Sequence, residues 1–351
     1  MGKTPRKHNP LPAVLPLSML LPSLLTKNPS MKLRPASRDR TPMSLPALCF
    51  LALALCFPVQ MLAEKQDAPK APAPAFENVS YGPFERNVLD FWKANSTSPA
   101  PVLVCVHGGG FHGGDKTTYR RSGLVAECLK HGISVAAINY RYTTTAPFPA
   151  PMLDGARALQ FLRFKAKEWN IDPSRIGGTG GSAGGDMLVW LGCHADFAEP
   201  GSPDEIARQS TKLSFVCGQG AQTFNDPEMI HRFIYSGAQM DQVGFEFYGI
   251  KDPAEFKSER IKELGYEASA INFVTKDAPP FFLTYNAKQK VGDAPYPEGT
   301  PFGVYIHCPK FGELFKVKCD ACGVECEFHY SDNPEKPGDE QAFILRHFGL
   351  R

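Results

Sequence analysis

Two glycine-rich segments have the residue types and spacing for nucleophilic chemistry at a carbonyl group. Residues 180–184 (GGSAG) match the pattern G-x-S-x-G, which presents a serine hydroxyl on a sharp turn between a strand and a helix. Residues 107–110 (HGGG) match the loop whose backbone N–H groups stabilise a developing oxyanion. Together the two segments indicate hydrolysis through Ser182.

The elements that must position these segments are also visible. Residues 101–106 (PVLVCV) predict a buried strand directly before the HGGG loop, residues 175–179 predict a strand before the serine, and residues 186–191 predict a buried helix after it. The first N–H groups of a helix have no partner inside it. We therefore expect three donors in the oxyanion hole: Gly108, Gly109 and Ala183. His107 is expected to be a structural residue of its loop.

Either motif alone is a weak signal in a chain with 31 glycines, and residues 177–185 could be no more than a flexible loop. Both motifs in this order, each directly after a predicted strand, favour the catalytic interpretation.

The rest of the chain from Val79 alternates between strand and helix patterns. Strands are predicted in a hairpin over 79–92 and at 102–106, 133–140, 175–179, 213–217, 280–285 and 324–330, and helices at 119–131, 152–169 and 339–348. This alternation predicts an α/β fold, a mostly parallel sheet with helices on both faces. Residues 223–275 interrupt it and are rich in Phe, Tyr and Met. They are either a helical cap over the site or a packing subdomain without a substrate role.

The charge of the chain is unevenly distributed. Of 38 basic and 36 acidic residues, eight basic and one acidic residue lie in 1–63, leaving 30 basic and 35 acidic residues in the remainder. The basic character belongs to the first segment, so the main electrostatic argument for nucleic-acid binding is lost. We expect no nucleic-acid partner.

Residues 1–63 have the features of a targeting leader. A basic stretch precedes the apolar run 45–57, which has the length of a signal-peptide core and is too short to span a bilayer comfortably. If translation starts at Met31, the signal peptide covers about 31–63; the alternative is an uncleaved membrane anchor. We expect export, a Pro/Ala-rich linker over 64–76, and one catalytic domain over 77–351.

Eight cysteines follow the leader, and Cys319, Cys322 and Cys326 lie close together in sequence. The spacing lacks the second pair of a zinc site, so core packing is favoured over metal binding. We expect no metal and no cofactor. An exported protein could form one or two disulfides.

Beyond the two motifs, the chain resembles the α/β-hydrolase superfamily, and within it the esterase/lipase group of hormone-sensitive-lipase-like and feruloyl- and acetyl-xylan-esterase-like enzymes. The resemblance covers about 79–350 and is based on residues 88–94, 106–116, 139–163, 172–185 and 277–286. It implies the α/β-hydrolase fold and hydrolysis of carboxylic esters through an acyl-enzyme, without a cofactor.

The chain departs from the family pattern at the other two members of the catalytic triad. The loop after 281–285 has its first carboxylate late, at Asp293, and the loop 331–338 after the last strand contains no histidine. His307 follows Asp293 and keeps the chain order Ser, Asp, His. The expected triad is therefore Ser182, His307 and Asp293, with His329 and His347 as weaker candidates for the base.

Three functions fit these residues. The first is an exported serine esterase acting on small or carbohydrate-linked esters. The second is a catalytically degenerate hydrolase that binds a ligand or partner, because a serine without a base is a poor nucleophile at neutral pH. The third and weakest is a serine peptidase on the same fold.

Overall fold

The computed structural model describes residues 71–237, 242–285, 291–330 and 339–350. The predicted leader 1–63 lies outside these ranges. So do residues 286–290 and 331–338, most of the two loops in which the family pattern places its acid and its histidine.

An eight-stranded sheet forms the centre of the described fold. Its strands are β1 (Phe76–Ser80), β2 (Val88–Trp92), β3 (Ala100–Val106), β4 (Ser134–Ile138), β5 (Ile171–Gly181), β6 (Val216–Gln219), β7 (Phe281–Tyr285) and β8 (Cys326–Tyr330). Their order is β1-β2-β4-β3-β5-β6-β7-β8. The pairs β1–β2 and β2–β4 are antiparallel, and all other neighbours are parallel. The predicted hairpin and the predicted α/β architecture are confirmed.

Ten α-helices accompany these strands in the described part of the chain. They are α1 (Gly123–Lys130), α2 (Ala150–Phe164), α3 (Ala166–Trp169), α4 (Ala183–Cys193), α5 (Pro227–Phe233), α6 (Gln242–Tyr248), α7 (Glu259–Ala268), α8 (Phe302–Tyr305), α9 (Lys310–Cys322) and α10 (Glu340–His347). Short 3₁₀ helices add Lys116–Arg121, Pro253–Lys257, Ala270–Phe273 and Val291–Asp293.

Two predicted helices differ from the observed ones at points where the backbone leaves the helical region. The predicted helix 119–131 begins only at Gly123, because Ser122 is extended and caps it by accepting from the Leu124 N–H. The predicted helix 152–169 is two helices, since Lys165, with ψ near zero, separates α2 from α3.

One strand and one helix next to the serine turn are buried along their whole length. Every residue of β3 and every residue of α4 is buried. Helix α4 approaches β3 so closely that a Cβ on Gly184 would lie 2.1 Å from the Val106 carbonyl oxygen. This close approach requires glycine and fixes the start of α4 over the carboxyl ends of β3 and β5.

The described domain includes part of the predicted linker. Phe76 begins β1, and the Trp92 indole Nε1–H donates to the Pro72 carbonyl at 2.7 Å. Residues 71–76 therefore belong to the fold.

The described part of the insertion 223–275, between β6 and β7, contains the helices α5, α6 and α7, as the helical interpretation predicted. In the described part of the chain, no helix is long and apolar enough to cross a membrane. Within the same ranges, no group of three His, Cys, Asp or Glu side chains is placed to hold a metal ion. The eight cysteines are free thiols, Cys319 and Cys326 included.

Candidate active site

Ser182 occupies a strained turn between β5 and α4. Its φ of 51° and ψ of −123° place a non-glycine residue at positive φ, the conformation that a nucleophile elbow imposes. Its N–H donates to the Gln219 carbonyl at 2.7 Å, and its own carbonyl accepts from the Asp186 N–H at 2.9 Å. The turn is thus tied to β6 on one side and continues into α4 on the other.

The HGGG loop lies against this turn. A Cβ on Gly108 would lie 2.8 Å from the Gly181 carbonyl, so the two segments are in direct contact. Gly109 has φ of 115°, and its carbonyl accepts from the N–H groups of His112 and Gly113 at 3.0 and 2.9 Å. Glycine at 109 lets the loop turn sharply beside the serine. Gly108 therefore lies against the serine turn and Gly109 follows it in the same loop, and their donation to an oxyanion stays a prediction.

Ala183, the third predicted donor, is the first residue of α4 and is buried. Its N–H belongs to the first turn, whose amides have no acceptor within the helix. The positive end of the helix dipole lies at the same point.

His107 is confined within its loop, in agreement with the structural role predicted for it. It is buried, its ring stacks on Tyr140 with centroids 4.4 Å apart, and its Nδ1 lies 2.8 Å from the Gly108 carbonyl. Burial lowers the pKa of His107, so the neutral ring is favoured. The Nδ1–H therefore donates to Gly108 and helps to shape the glycine loop.

The base candidate His307 lies beside the end of β6. Its Nδ1 is 3.0 Å from the Gly220 carbonyl and 3.4 Å from the Gln222 Nε2. The two amide protons of Gln222 are directed at the Gly220 and Ile306 carbonyls, at 2.9 and 2.7 Å. With both protons used, Gln222 has none for the imidazole. His307 therefore carries its proton on Nδ1, which leaves the Nε2 lone pair as the basic atom.

Ser182 and His307 face the same two spaces. The first, which we call the cap cavity, has a volume of about 390 Å³. Besides these two residues, the cap cavity is lined by Gly109, Gly110, Phe111, His112, Asp186, Gln222, Asn225, Ile230, Ile234, Tyr235, Gly244, Phe247, Tyr248, Phe302, Gly303, Tyr305, Ile306 and Phe311. The insertion 223–275 supplies seven of those residues, so it forms a wall of this cavity.

The second space, which we call the edge groove, has a volume of about 720 Å³. Besides Ser182 and His307 it is lined by Gly108, Gly181, Gln219, Gly220, Thr284, Tyr285, Gly303 and Val304. A substrate attacked by Ser182 can therefore extend in two directions, as an ester with an acyl part and an alcohol part requires.

Asp293, the predicted orienting acid, is an exposed residue of the 3₁₀ helix Val291–Asp293. Its charge contributes to the raised pKa values of Tyr296 and Cys308, which places it near those side chains. The contact described for the His307 Nδ1 is instead the Gly220 carbonyl. Whether Asp293 orients His307 stays a prediction.

The other two histidines considered for the base lie elsewhere. His329 is on β8, with its Nε2 3.1 Å from a Glu327 carboxylate oxygen. His347 is on α10, where its ring packs on Phe343 at 4.3 Å and its Nε2 lies 3.5 Å from Glu325. Neither lines the cap cavity or the edge groove.

Three site residues were missed by the reasoning from sequence: Asp186, Gly220 and Gln222. Asp186 could have been found, because a carboxylate at the start of an apolar helix, four residues after the serine, is conspicuous. Gly220 and Gln222 follow β6 directly, and ligands of parallel sheets bind at the carboxyl ends of strands. Nothing in their residue types marks them as partners of His307.

The strand order, the strained serine turn and the adjoining glycine loop define the class: this is an α/β-hydrolase fold with a nucleophile elbow. The chain belongs to the BD-FAE family, whose model matches residues 89–292.

Two curated relatives are similar over about 60% of the chain. The Mycobacterium tuberculosis protein named "Probable carboxylic ester hydrolase LipM" is 28% identical over 214 residues, covering 59% of this chain and 46% of that protein. Esterase LipQ of the same organism is 27% identical over 217 residues, covering 60% and 48%. The chain thus spans about half the length of the curated relatives it matches.

Solved structures support the fold. A truncated form of a carbohydrate esterase from gut microbiota has a TM-score of 0.60 at 21% identity, over 81% of this chain and 98% of that one. An acetyl ester-xyloside bifunctional hydrolase from Caldicellulosiruptor lactoaceticus has a TM-score of 0.54 at 23% identity, over 75% and 86%. At these identities the likeness shows the fold alone.

Proposed function

We propose that this protein is a serine esterase that hydrolyses carboxylic esters through an acyl-enzyme. The observation that carries the proposal is the placement of Ser182 and His307 on the same two spaces, with the His307 Nδ1 proton directed at the Gly220 carbonyl. This tautomer leaves Nε2 as the proton acceptor that a serine nucleophile needs. The esterase names of LipM and LipQ support the same reaction.

The residues then take the following roles. Ser182 Oγ attacks the ester carbonyl carbon while His307 Nε2 takes its proton, and the carbonyl oxygen becomes an oxyanion held by the amides of Gly108, Gly109 and Ala183. His307 returns the proton to the leaving alcohol as the carbon–oxygen bond breaks. Water, activated by the same Nε2, then attacks the acyl-enzyme and releases the acid and free Ser182.

In this proposal the Gly220 carbonyl accepts the His307 Nδ1 proton, which is the contact that a carboxylate makes in other triads. A neutral carbonyl fixes the tautomer and the orientation of His307, but it stabilises the imidazolium less than an anion does. We therefore expect slower turnover than a complete Ser-His-Asp triad gives.

The test is hydrolysis of p-nitrophenyl acetate and butyrate together with labelling by a fluorophosphonate, which reports an activated serine without requiring turnover. The expected result is that Ser182→Ala abolishes both signals, that His307→Gln lowers both by about 10³-fold or more, and that Asp293→Asn changes them less than tenfold. A large loss in Asp293→Asn would instead restore the carboxylate as the orienting group.

The degenerate hydrolase is the second candidate, favoured by the loop 331–338, which contains no histidine. Hydrolysis and labelling by the wild type at the level of Ser182→Ala would establish this alternative. Casein digestion without ester hydrolysis would indicate the peptidase.

We propose small or carbohydrate-linked esters as substrates. The support is the modest size of the cap cavity and the names of two structural neighbours, which describe action on acetyl or carbohydrate esters. A comparison of kcat/KM for acetylated xylo-oligosaccharides and for tributyrin tests this, since a lipase prefers the second.

We also propose that the protein is exported, because residues 31–63 have the arrangement of a signal peptide. The mass of the mature protein recovered after secretory expression is expected to match a chain beginning at Glu64. A mature chain that keeps residues 45–57 would contradict this and indicate an anchor.

A further inference from the structure

Asp186 has a carboxyl group that the esterase mechanism does not use. The residue is 1% exposed and follows Ser182 by one turn of α4. Its Oδ2 accepts from the Asn225 Nδ2 at 3.0 Å, whereas its Oδ1 is buried without a hydrogen-bond partner. A buried polar atom without a partner destabilises the folded protein, so its presence requires a reason.

The position of the Asp186 carboxyl offers a reason for the unpartnered oxygen. Asp186 and Asn225 both line the cap cavity that Ser182 and His307 share. The wall of the same cavity includes several aromatic side chains, Phe247 and Tyr248 among them. The carboxyl is thus a buried polar group with one unpartnered oxygen in the wall of the cavity, one helical turn after the reacting serine. The last torsion of an Asp side chain is soft, so a small rotation presents Oδ1 to the cavity.

The chemistry of the carboxyl limits what it can bind. Burial raises the pKa of Asp186 to about 8, so the neutral acid is the main form near pH 7. Because Asn225 donates to Oδ2, the acidic proton resides on Oδ1. A ligand hydroxyl accepts from this O–H group, and it donates to the same oxygen once the group is ionised. An ammonium group pairs only with the ionised form, and an alkyl group leaves Oδ1 without a partner.

We propose that Asp186, held in place by Asn225, binds a hydroxyl group on the part of the substrate that occupies the cap cavity. The proposal rests on the proposed esterase function for the nature of that substrate. It predicts preference for an otherwise apolar chain or ring with a hydroxyl at its far end. Asp186 is then a specificity-determining residue and takes no part in the proton transfers at Ser182.

The experiment compares esters that differ in one group. The p-nitrophenyl esters of 6-hydroxyhexanoate, heptanoate and 6-aminohexanoate place a hydroxyl, a methyl or an ammonium at the same point on the acyl side. Butyrate esters of hexane-1,6-diol and of heptan-1-ol repeat the hydroxyl–methyl pair on the alcohol side. Each series is measured with the wild type, Asp186→Leu and Asp186→Asn.

We expect the wild type to prefer the hydroxyl ester over its methyl counterpart in one of the two series. This ratio of kcat/KM should fall about tenfold or more in Asp186→Leu, mainly through KM. Asp186→Asn should retain most of it, because its amide can accept from Asn225 and donate to the hydroxyl. Thermal unfolding of both variants shows that they fold, and in Asp186→Leu the Asn225 amide keeps its bond to the Ala268 carbonyl, 3.2 Å away.

Binding separates this proposal from the esterase proposal. The affinities of Ser182→Ala for 6-hydroxyhexanamide and heptanamide are measured by calorimetry, with and without Asp186→Leu. If the wild type hydrolyses no ester while Ser182→Ala still prefers the hydroxy amide in a way that depends on Asp186, that result would support the hydroxyl site and contradict the esterase proposal. A hydroxyl-to-methyl ratio near one in both ester series, or the same ratio in Asp186→Leu, overturns the proposal. Preference for the ammonium ester overturns it in favour of a cation site.

Discussion

At the scale of single residues, the buried carboxyl of Asp186 makes stability depend on pH. Its pKa in the folded protein is raised to about 8, compared with an ordinary value of 3.8. Between these pH values the unfolded chain has lost the proton that the folded chain keeps. Unfolding is therefore favoured as pH rises from about 4 to 8, by about 1.4 kcal/mol per unit from this group, and the effect levels off above 8.

Replacing the Asp186 carboxyl by an amide tests this pH dependence. Asp186→Asn does not titrate, so its stability relative to the wild type should increase steadily from pH 5 to pH 8. Urea unfolding of both proteins at several pH values measures the difference. A constant difference across this range would show that Asp186 is ionised in the folded protein throughout.

At the scale of elements, the join between β5 and α4 depends on the absence of a side chain at Gly184. A Cβ there would lie 2.1 Å from the Val106 carbonyl and 2.8 Å from the His107 carbonyl, both of them backbone atoms that cannot move aside cheaply. We expect Gly184→Ala to destabilise the fold by about 1–3 kcal/mol and to separate Ser182 from the HGGG loop. Fluorophosphonate labelling should therefore fall even at temperatures where the variant is folded.

The matched control for this variant is Gly201→Ala. Gly201 lies in a turn without positive φ, and no atom lies within 4 Å of the point that a Cβ would occupy there. The change is therefore expected to leave both the melting temperature and labelling within error of wild type. Equal behaviour of the two variants would refute the argument from close packing.

The elements also show which parts of the site can be predicted from sequence. The elbow and the HGGG loop were predictable, because each needs small residues at fixed positions within one short segment. The environment of His307 was not, since Gly220 and Gln222 reach it only after β6 and the segment before α9 come together. Contacts between segments that are distant in sequence produce no regular spacing of residues. The strand and helix periodicities that predicted the α/β fold lie within single segments, so they are visible in the sequence.

At the scale of the whole molecule, the reactivity of the eight thiols in the described domain reports how tightly the core is packed and whether any thiols are oxidised. Seven of them are buried, and only Cys322 is partly exposed. Burial raises the pKa of Cys128 to about 12 and raises those of Cys105, Cys193 and Cys217, which makes their thiolates scarce. In a chain beginning at Glu64, we expect at most about one thiol to react with Ellman's reagent in the native state, and Cys322→Ser should remove that signal.

Denaturation should then expose all eight thiols, as the free cysteines of the structure require. Cys319 and Cys326 are close enough to hydrogen-bond, so they are the pair that an oxidising compartment would join first. A denatured count of six for the secreted protein, restored to eight by a reductant, would show that one disulfide forms on export, and peptide mapping would then be expected to identify this pair. A native count well above one would contradict the packing itself, because buried thiols become accessible only when the core opens.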